Sequence, residues 1–433
     1  MPFSQSQLVI STLDLVEGLS TAMDLVSPAL NNHQRRVGFV SLQLARALGL
    51  PDAVCRDTLM AGMLHDCGAL DMPDRTITLT FELGGPDHPV PQGHATAGFR
   101  LLSRFAPFAQ VARMVRYHHH PWASGAGTAW QGDEVPLAAH ILHLADRVDV
   151  LVGDTTNPLV LRQEIVDRIG RRTPALFHPE VTAAFQDLAV KEAFWLDMAG
   201  ISRGATISGA SRYAGERLGT SALLEMVRLF GLIIDFRSRF TATHSSGVAS
   251  SAAALARLAG FSPGQCRRMM VAGHLHDLGK LAVPLEILEK PDRLTPAEVN
   301  VIRTHTYYTY WVLAKFRDLE EIRQWAAFHH ERLDGRGYPF HHAAAELSPG
   351  ARMMAVADVF TAITEDRPYR AGMSSREAAR ILEGMAAGGA LDPEIVHLLM
   401  DNFDQVNHER SQAQEQSRQE YAAFSAGREP GPG

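Results

Sequence analysis

AGMLHDCGALDMP (Ala61 to Pro73) and AGHLHDLGKLAVP (Ala272 to Pro284) are two versions of one segment, and their His-Asp pairs lie 211 residues apart. The same offset, within one residue, relates five histidines and two aspartates of one half of the chain to those of the other. Agreement over seven positions predicts that a whole domain has been duplicated. The two sets are His33, His65, Asp66, His94, His118, His119 and Asp146, and His244, His276, Asp277, His305, His329, His330 and Asp358.

The segments between these landmarks show the pattern of amphipathic helices. VSLQLARALGL, from Val40 to Leu50, places apolar residues at i, i+3 and i+4. We therefore predict an all-α chain of two tandem helical bundles, residues 1–205 and 206–408, joined near the Gly/Ser-rich segment 200–211. Residues 409–433 are polar and end in Gly and Pro, so we predict a disordered tail.

Composition narrows the class of protein. The 433 residues are 46% hydrophobic and 21% charged with a net charge of −7, which suits a globular chain and excludes a basic surface for polymeric nucleic acid. Three cysteines against 20 histidines argue against disulfides and thiolate metal sites, and they favour a reducing cytoplasm. The longest apolar segment, Leu223 to Phe236, contains three charged residues, so it predicts an amphipathic or interface helix and not a membrane span.

The repeated histidines and aspartates are typical ligands of divalent metal ions. Neutral imidazoles and carboxylates can hold two ions about 3.5–4 Å apart while leaving positions open for water. The carboxylate of Asp277, beside His276, can bridge both ions. Such a pair lowers the pKa of a bridging water and neutralises charge on a phosphate, which indicates phosphoester hydrolysis. Histidines that merely hydrogen-bond in a helical core would not explain the repeated spacing.

The second copy resembles the HD-GYP family of bacterial cyclic-dinucleotide phosphodiesterases, a branch of the HD phosphohydrolase superfamily. The resemblance covers about 135 residues and rests on HLHDLGKLAVP, FHHERLDGRGYP and ADVFTAITEDRPYR. It implies two divalent ions, iron or manganese above others, and hydrolysis of cyclic di-GMP or 3′,3′-cyclic GMP-AMP to a linear dinucleotide by a bridging hydroxide. By resemblance, His244, His276 and Asp358 serve one ion, His305, His329 and His330 serve the other, and Asp277 bridges them.

The resemblance also implies substrate contacts. Lys280 matches a lysine that binds the scissile phosphate, and Arg367 and Arg370 in DRPYR match positions that contact phosphates and bases. Lys280 lies one helical turn from Asp277, so both face the same side. Tyr307 is a candidate for stacking on a base. The DGRGYP loop either buttresses the histidine pair or contacts substrate, and the family uses it to dock diguanylate cyclase partners; a homodimer is also compatible with the sequence.

Two positions depart from the family pattern. Some relatives carry a glutamate four residues before the first histidine as a ligand of a third ion, but this position is Phe240 here and Ala29 in the first copy. We therefore expect a dinuclear centre. Thr361 stands where the family often has a second aspartate, so we expect looser orientation of the ligands in the second copy. The first copy keeps that aspartate as Asp149.

The first copy retains all seven ligand positions without the substrate apparatus. Ala69 replaces the lysine, HHHPWASGAGTAW replaces the HHExxDGxGYP string, and Thr155 and Pro158 stand near the arginine positions. We predict a degenerate HD domain with a structural or regulatory role, pairing with the second copy across the helix from Leu223 to Phe236. Two other functions remain open for the whole chain: an HD phosphohydrolase acting on another nucleotide, and a non-catalytic cyclic-dinucleotide receptor or partner-docking protein.

Overall fold

The structure is a computed structural model, and it describes residues 10–25, 32–69, 92–153, 155, 157–202, 207, 209–213, 215, 217–236, 243–366 and 371–425. The predicted all-α fold class is confirmed. The α-helices of the described residues are α1 (Thr12–Asp24), α2 (His33–Ala47), α3 (Asp52–Leu64), α4 (Gln92–Leu102), α5 (Ala109–Arg116), α6 (Leu137–Val152), α7 (Arg162–Arg171), α8 (Pro179–Ala189), α9 (Glu192–Ser202), α10 (Thr220–Phe236), α11 (His244–Leu258), α12 (Pro263–Leu275), α13 (Leu285–Leu288), α14 (Pro296–Leu313), α15 (Glu320–Ala327), α16 (Pro349–Thr364), α17 (Ser375–Ala387), α18 (Pro393–Asp401) and α19 (Phe403–Ser425).

Short 3₁₀ helices and two-residue strands complete the secondary structure of the described residues. The strands β2 and β3 form a hairpin, with Ala129 opposite Glu134, and positive φ angles at Gln131 and Gly132 make its two-residue turn. The strands are β1 (Ile10–Ser11), β2 (Ala129–Trp130), β3 (Asp133–Glu134) and β4 (Arg217–Leu218); the 3₁₀ helices are Ala106–Phe108, Ala123–Thr128, Pro158–Val160, Ala210–Tyr213, Leu278–Ala282, Arg317–Leu319 and Ala344–Glu346.

The chain divides into two compact units, Ser11–Arg217 and Leu218–Gly427. The change of unit therefore falls 12 residues after the predicted boundary at 205. The reason is local: the 3₁₀ helix Ala210–Tyr213 packs on α3, and Arg212 donates a hydrogen bond of 2.7 Å to Asp52. These contacts keep the predicted junction segment with the first unit.

The two units repeat the same series of helices. α2 and α11 each have 15 residues, α3 and α12 each have 13, and α6 and α16 each have 16. α10 packs on α11 and α12 as α1 packs on α2 and α3. The segment predicted as an interface helix, Leu223 to Phe236, is thus part of the repeat itself, and its apolar residues are buried inside the second unit, among them Leu223, Met226, Phe230 and Ile233.

Local sequence signals begin the helices that carry the second histidine set. α12 starts at a capping box in which Ser262 and Gln265 satisfy each other's backbone N–H groups. α14 starts at a second capping box between Thr295 and Glu298. A proline occupies the first turn of each helix, where its missing N–H is not needed. These boundaries fix where His276 and His305 lie along their helices.

Glycines allow the histidine-bearing elements to approach one another. A Cβ on Gly62 would lie 2.6 Å from the Cα of Gly38, and one on Gly273 would lie 2.4 Å from the Cα of Ala249, so α2–α3 and α11–α12 cross in contact at equivalent points. A Cβ on Gly279 would lie 1.9 Å from the carbonyl oxygen of His305. Larger residues at these positions would force the helices apart, and the histidines with them.

The predicted disorder of residues 409–433 is wrong for residues 409–425. They belong to α19, which packs along α11. The buried side chains of this helix are mostly polar, namely Arg410, Gln414 and Ser417, which are at most 5% exposed. Because the buried face is polar, hydrophobic patterning does not reveal it. Residues 426–433 lie outside the described part of the chain.

Within the described ranges, no helix is both long and apolar enough to span a bilayer.

Candidate metal centre

The seven predicted ligand residues of the second copy converge in one cluster. His244 is the first residue of α11, His276 follows the last residue of α12, and Asp277 comes next. Their ligand atoms form overlapping groups, within each of which all atoms lie no more than 4.8 Å apart. The groups are His244, His276 and Asp358; His276, Asp277 and His329; and His305, His329 and His330.

Asp277 lies between the two outer groups. Its Oδ2 is 3.2 Å from Nε2 of His276, and its Oδ1 is 3.4 Å from Nε2 of His305. Asp358 closes the first group, with Oδ1 3.0 Å from Nε2 of His244. A carboxylate with one oxygen directed to each group has the arrangement needed to bridge two ions.

Backbone carbonyls select the tautomer of three of these histidines. The Nδ1–H groups of His276, His305 and His329 donate to the carbonyl oxygens of Gly273, Ile302 and Ala326 at 2.7, 2.7 and 2.6 Å. Because a carbonyl can only accept, the lone pair of each neutral ring is on Nε2, which faces the cluster. Nε2 of His276 is buried without a hydrogen-bond partner, so the donor set fits a metal ion.

Burial and charge set protonation states that suit metal binding. Burial lowers the pKa of His305 to about 3 and holds the pKa of His329 well below its usual range. Burial raises the pKa of Asp277, but His276 and Lys280 outweigh it and hold that pKa well below its usual range. Neutral imidazoles and an ionised carboxylate are the forms that coordinate divalent cations.

His244 differs from the other histidines because two carboxylates contact its ring. Burial lowers its pKa, but Glu365 and Asp358 outweigh burial and raise it to about 10. The ring donates from Nδ1 to Glu365 at 3.1 Å and from Nε2 to Asp358 at 3.0 Å. Metal binding at Nε2 must therefore displace a proton.

We expected Thr361 to leave the metal ligands of the second copy less firmly oriented, but another carboxylate contacts His244. Although Thr361 cannot supply a carboxylate, Glu365 lies one turn further along and accepts the Nδ1–H of His244. Thr361 is buried and its hydroxyl lies 3.3 Å from that of Ser251. A carboxylate therefore orients the first histidine of this copy, from a residue that the sequence did not single out. Phe240 and Ala29, the positions relevant to a third ion, lie outside the described residues.

Lys280 lies at the edge of the cluster. Its Nζ donates to Oδ2 of Asp277 at 2.5 Å, and its side chain is 23% exposed, so the ammonium is accessible from the cluster and from solvent. Arg367 and Arg370 lie outside the described residues. The equivalent of Lys280 in the first copy, Ala69, is buried.

An open groove of about 260 Å³ lies beside the histidine pair. Tyr307, which is 49% exposed, lines it together with Tyr308, Arg303 and Tyr338. The guanidinium of Arg303 lies 5.1 Å from the centre of the Tyr338 ring, which lies 4.9 Å from the ring of His330. Arg303 was not predicted as a residue of the site, because VNVIRTH contains no recognisable motif before its histidine. Its position two residues before His305 was the one feature of the sequence that could have indicated it.

The DGRGYP loop buttresses the histidine pair. The buried carboxylate of Glu331 accepts the N–H groups of Phe340 at 2.7 Å and His342 at 3.1 Å. The N–H of Tyr338 donates to the carbonyl of His330 at 3.2 Å. A Cβ on Gly337 would lie 2.4 Å from the Cα of Glu331, so only glycine fits there. Tyr338 also lines the groove, so the loop borders the site that it supports.

The first copy also brings its seven residues together, in two ligand groups. Asp66 belongs to the first group, with Oδ2 3.4 Å from Nε2 of His65, and its Oδ1 is 3.6 Å from Nε2 of His94 in the second. Asp146 belongs to neither group, but its Oδ1 lies 3.6 Å from Nε2 of His33. A buried guanidinium, that of Arg147, is hydrogen-bonded to Asp146. The groups are His33, His65 and Asp66, and His94, His118 and His119.

Comparisons with known proteins agree with this architecture. A family model described as HD domain matches residues 18–159 and again residues 228–395. The chain is 32% identical over 397 residues to 3′3′-cGAMP-specific phosphodiesterase 1 of Vibrio cholerae, covering 89% of this chain and 90% of that protein. It is also 32% identical over 327 residues to 3′3′-cGAMP-specific phosphodiesterase 3 of the same organism, covering 71% and 70%. A cyclic di-GMP phosphodiesterase of Pseudomonas aeruginosa is 39% identical over 176 residues, covering 40% and 41%.

A solved structure shows the same fold. The crystal structure of a cyclic GMP-AMP specific phosphodiesterase of V. cholerae, V-cGAP3, aligns with a TM-score of 0.62 at 24% identity, covering 92% of this chain and 98% of that one. The family match in both halves and the extent of the Vibrio relatives lead to one conclusion. The chain belongs to the HD domain family, in its HD-GYP branch of cyclic-dinucleotide phosphodiesterases.

Proposed function

We propose that the second unit is a metal-dependent phosphodiesterase that opens a 3′,5′-cyclic dinucleotide to the linear dinucleotide. The observation that carries the proposal is the position of Asp277, one oxygen near each ligand group, with the ammonium of Lys280 beside it. Two divalent ions held there would activate water for attack and neutralise phosphate charge.

The chain's own residues would do the following. His276, His305 and His329 present Nε2 lone pairs, because their Nδ1 protons are held by backbone carbonyls. Lys280 would move from Asp277 to the scissile phosphate and stabilise the departing oxygen. Arg367 and Arg370 would bind the remaining phosphate and bases, as the family pattern implies.

We propose 3′,3′-cyclic GMP-AMP as the first substrate to test, with cyclic di-GMP as the second. The two Vibrio relatives that match over most of their length carry the first name, whereas the Pseudomonas relative matches over 41% of its own length. The groove supports a nucleobase-containing ligand, because the exposed ring of Tyr307 offers a stacking surface and Arg303 adds a positive charge.

The test is anaerobic reconstitution of the full chain with iron or manganese, followed by chromatography of the products from both dinucleotides, dNTPs and guanosine polyphosphates. We expect a linear dinucleotide from a cyclic substrate and its loss in Asp277→Ala. Hydrolysis restricted to the linear nucleotides would favour another HD phosphohydrolase. Tight binding of a cyclic dinucleotide without turnover in the metal-loaded protein would favour a receptor.

For the first unit we propose a non-catalytic role with a retained metal site. Two ligand groups form in it, but Ala69 provides no cation for a phosphate. Asp66→Ala should therefore lower the metal content of the chain and leave cyclic-dinucleotide hydrolysis in place.

A further inference from the structure

The first histidine of each copy is held by a different carboxylate. In the first copy, Nδ1 of His33 lies 2.6 Å from Oδ2 of Asp149 in α6. Arg36 of α2 fixes this carboxylate by donating from Nε to Oδ1 at 2.5 Å and from Nη2 to Oδ2 at 3.0 Å. α2 and α6, which carry His33 and Asp146, thus also carry Arg36 and Asp149, the residues that hold the His33 ring.

The second copy has lost both supporting residues. Gly247 stands at the position of Arg36, and Thr361 stands at that of Asp149. Glu365, just after α16, accepts the Nδ1–H of His244 instead. The amide Nε2 of Gln414 in α19 donates to the same Glu365 oxygen at 3.0 Å.

Gln414 can reach Glu365 because Gly247 and Thr361 are smaller than the Arg36 and Asp149 of the first copy. A Cβ on Gly247 would lie 2.8 Å from Nε2 of Gln414 and 2.8 Å from Cγ2 of Thr361. An arginine at 247 would therefore collide with Gln414 in its present position. The first histidine is thus held by Asp149 and Arg36 in the first copy. In the second copy it is held by Glu365 and Gln414.

Gln414 is itself held in place. Arg410, one turn earlier in α19, donates to Oε1 of Gln414, so the amide must direct its N–H groups towards Glu365. Its Nε2 also lies 3.4 Å from the carbonyl of Thr243, the residue before His244. Glu365 and Gln414 are 5% and 3% exposed, so water does not compete for these contacts.

We infer that Glu365 and Gln414 are positioning residues for His244, and that α19 is therefore an integral part of the metal centre of the second unit. Glu365 holds the Nδ1 proton and the orientation of the ring, which directs Nε2 towards Asp358. α9, which follows α8 in the first copy as α19 follows α18 in the second, has 11 residues, whereas α19 has 23. The inference rests on the metal centre of the proposed function and extends it to a helix outside the resemblance.

The experiment measures Mn²⁺ affinity of metal-free full-length protein in the Asp66→Ala background, so that the ions counted belong to the second copy. Glu365→Gln and Gln414→Ala should each weaken Mn²⁺ binding about 10- to 100-fold. Gln419→Ala is the matched control, because Gln419 is exposed on the same helix and its side-chain amide donates to Glu415, away from the cluster. It should bind Mn²⁺ like the parent protein.

A rescue variant separates positioning from general damage. Gly247→Arg, Thr361→Asp, Glu365→Gln and Gln414→Ala combined rebuild the support seen in the first copy and should restore Mn²⁺ affinity to within about threefold of the parent, a difference that corresponds to about 0.7 kcal/mol. Circular dichroism checks folding, and the near-isosteric Glu365→Gln decides the matter if Gln414→Ala does not fold. Parental affinity in Glu365→Gln would overturn the inference. Mn²⁺ binding that responds as expected, without cyclic-dinucleotide hydrolysis by the parent, would contradict the proposed function alone.

Discussion

At the scale of single residues, Lys280 and Ala69 are the difference between the two copies that most directly concerns phosphate chemistry. Lys280→Ala should lower kcat by about 10²-fold or more, because a cation that stabilises the departing oxygen acts mainly in the transition state. Mn²⁺ content should stay at the level of the parent, since the lysine is not a ligand. Steady-state kinetics with metal analysis of the same sample checks this, and an unchanged kcat would remove Lys280 from the mechanism.

His140 provides a pH-dependent prediction away from the metal ligands. Burial, then the nearby His178, lowers the pKa of this ring to about 4, and its Nε2 donates to the carbonyl of Gly127 at 3.2 Å. The unfolded chain binds a proton near pH 6.5 and the folded chain does not, so stability is retained above that pH and falls towards pH 4. Between pH 6.5 and 5 the loss should be about 1.5 kcal/mol.

The measurement is urea denaturation of the full chain at both pH values. In His140→Gln, which cannot titrate in this range, the unit Ser11–Arg217 should lose about 1.5 kcal/mol less of its free energy of unfolding on acidification. Equal pH dependence in both proteins would show that His140 is already protonated in the folded state.

The sequence predicted the ligands themselves but not the residues that support them. His244, His276 and their partners were identifiable because duplication repeats their spacing. Glu365, Gln414 and Arg303 have no such repetition: their roles arise from tertiary contacts, and Glu365 and Gln414 take the parts that Asp149 and Arg36 play in the first copy.

At the scale of elements, the contact between the turn after α12 and α14 positions the second ligand group. Gly279→Ala would add a Cβ 1.9 Å from the carbonyl of His305, so α14 must move away. We expect a loss of about 1–3 kcal/mol in stability and weaker Mn²⁺ binding. Gly264→Ala in α12 is the control, because its added Cβ meets nothing closer than 3.9 Å. Thermal unfolding and Mn²⁺ titration of both variants test this, and equal behaviour would contradict it.

Capping residues mark the starts of α12 and α14 in the sequence, at Ser262 and Thr295. Residues 409–425 of α19 were not predicted as helix, because their buried side chains are polar, namely Arg410, Gln414 and Ser417. A polar segment can be ordered when its side chains find buried polar partners, and here Gln414 donates a hydrogen bond to the buried carboxylate of Glu365.

At the scale of the whole molecule, duplication has left two ligand clusters with different surroundings. The copies share the lengths of three helix pairs, α2 and α11, α3 and α12, and α6 and α16, and they share the central aspartate, Asp66 or Asp277. The second copy combines that aspartate with Lys280 and the groove beside Tyr307, whereas the first has Ala69 at the position of the lysine. The first copy therefore serves as an internal control, because Asp66→Ala and Asp277→Ala remove equivalent carboxylates from two similar clusters.

The most direct test of the account compares Asp277→Ala with Asp66→Ala, both anaerobically loaded with manganese and supplied with 3′,3′-cyclic GMP-AMP and cyclic di-GMP. Product chromatography should show hydrolysis reduced at least 10³-fold in Asp277→Ala and within about threefold of the parent in Asp66→Ala, because removing the shared carboxylate eliminates metal-assisted attack only where the phosphate binds. Retained hydrolysis in Asp277→Ala, or its loss in Asp66→Ala, would contradict the assignment of the active site to the second copy.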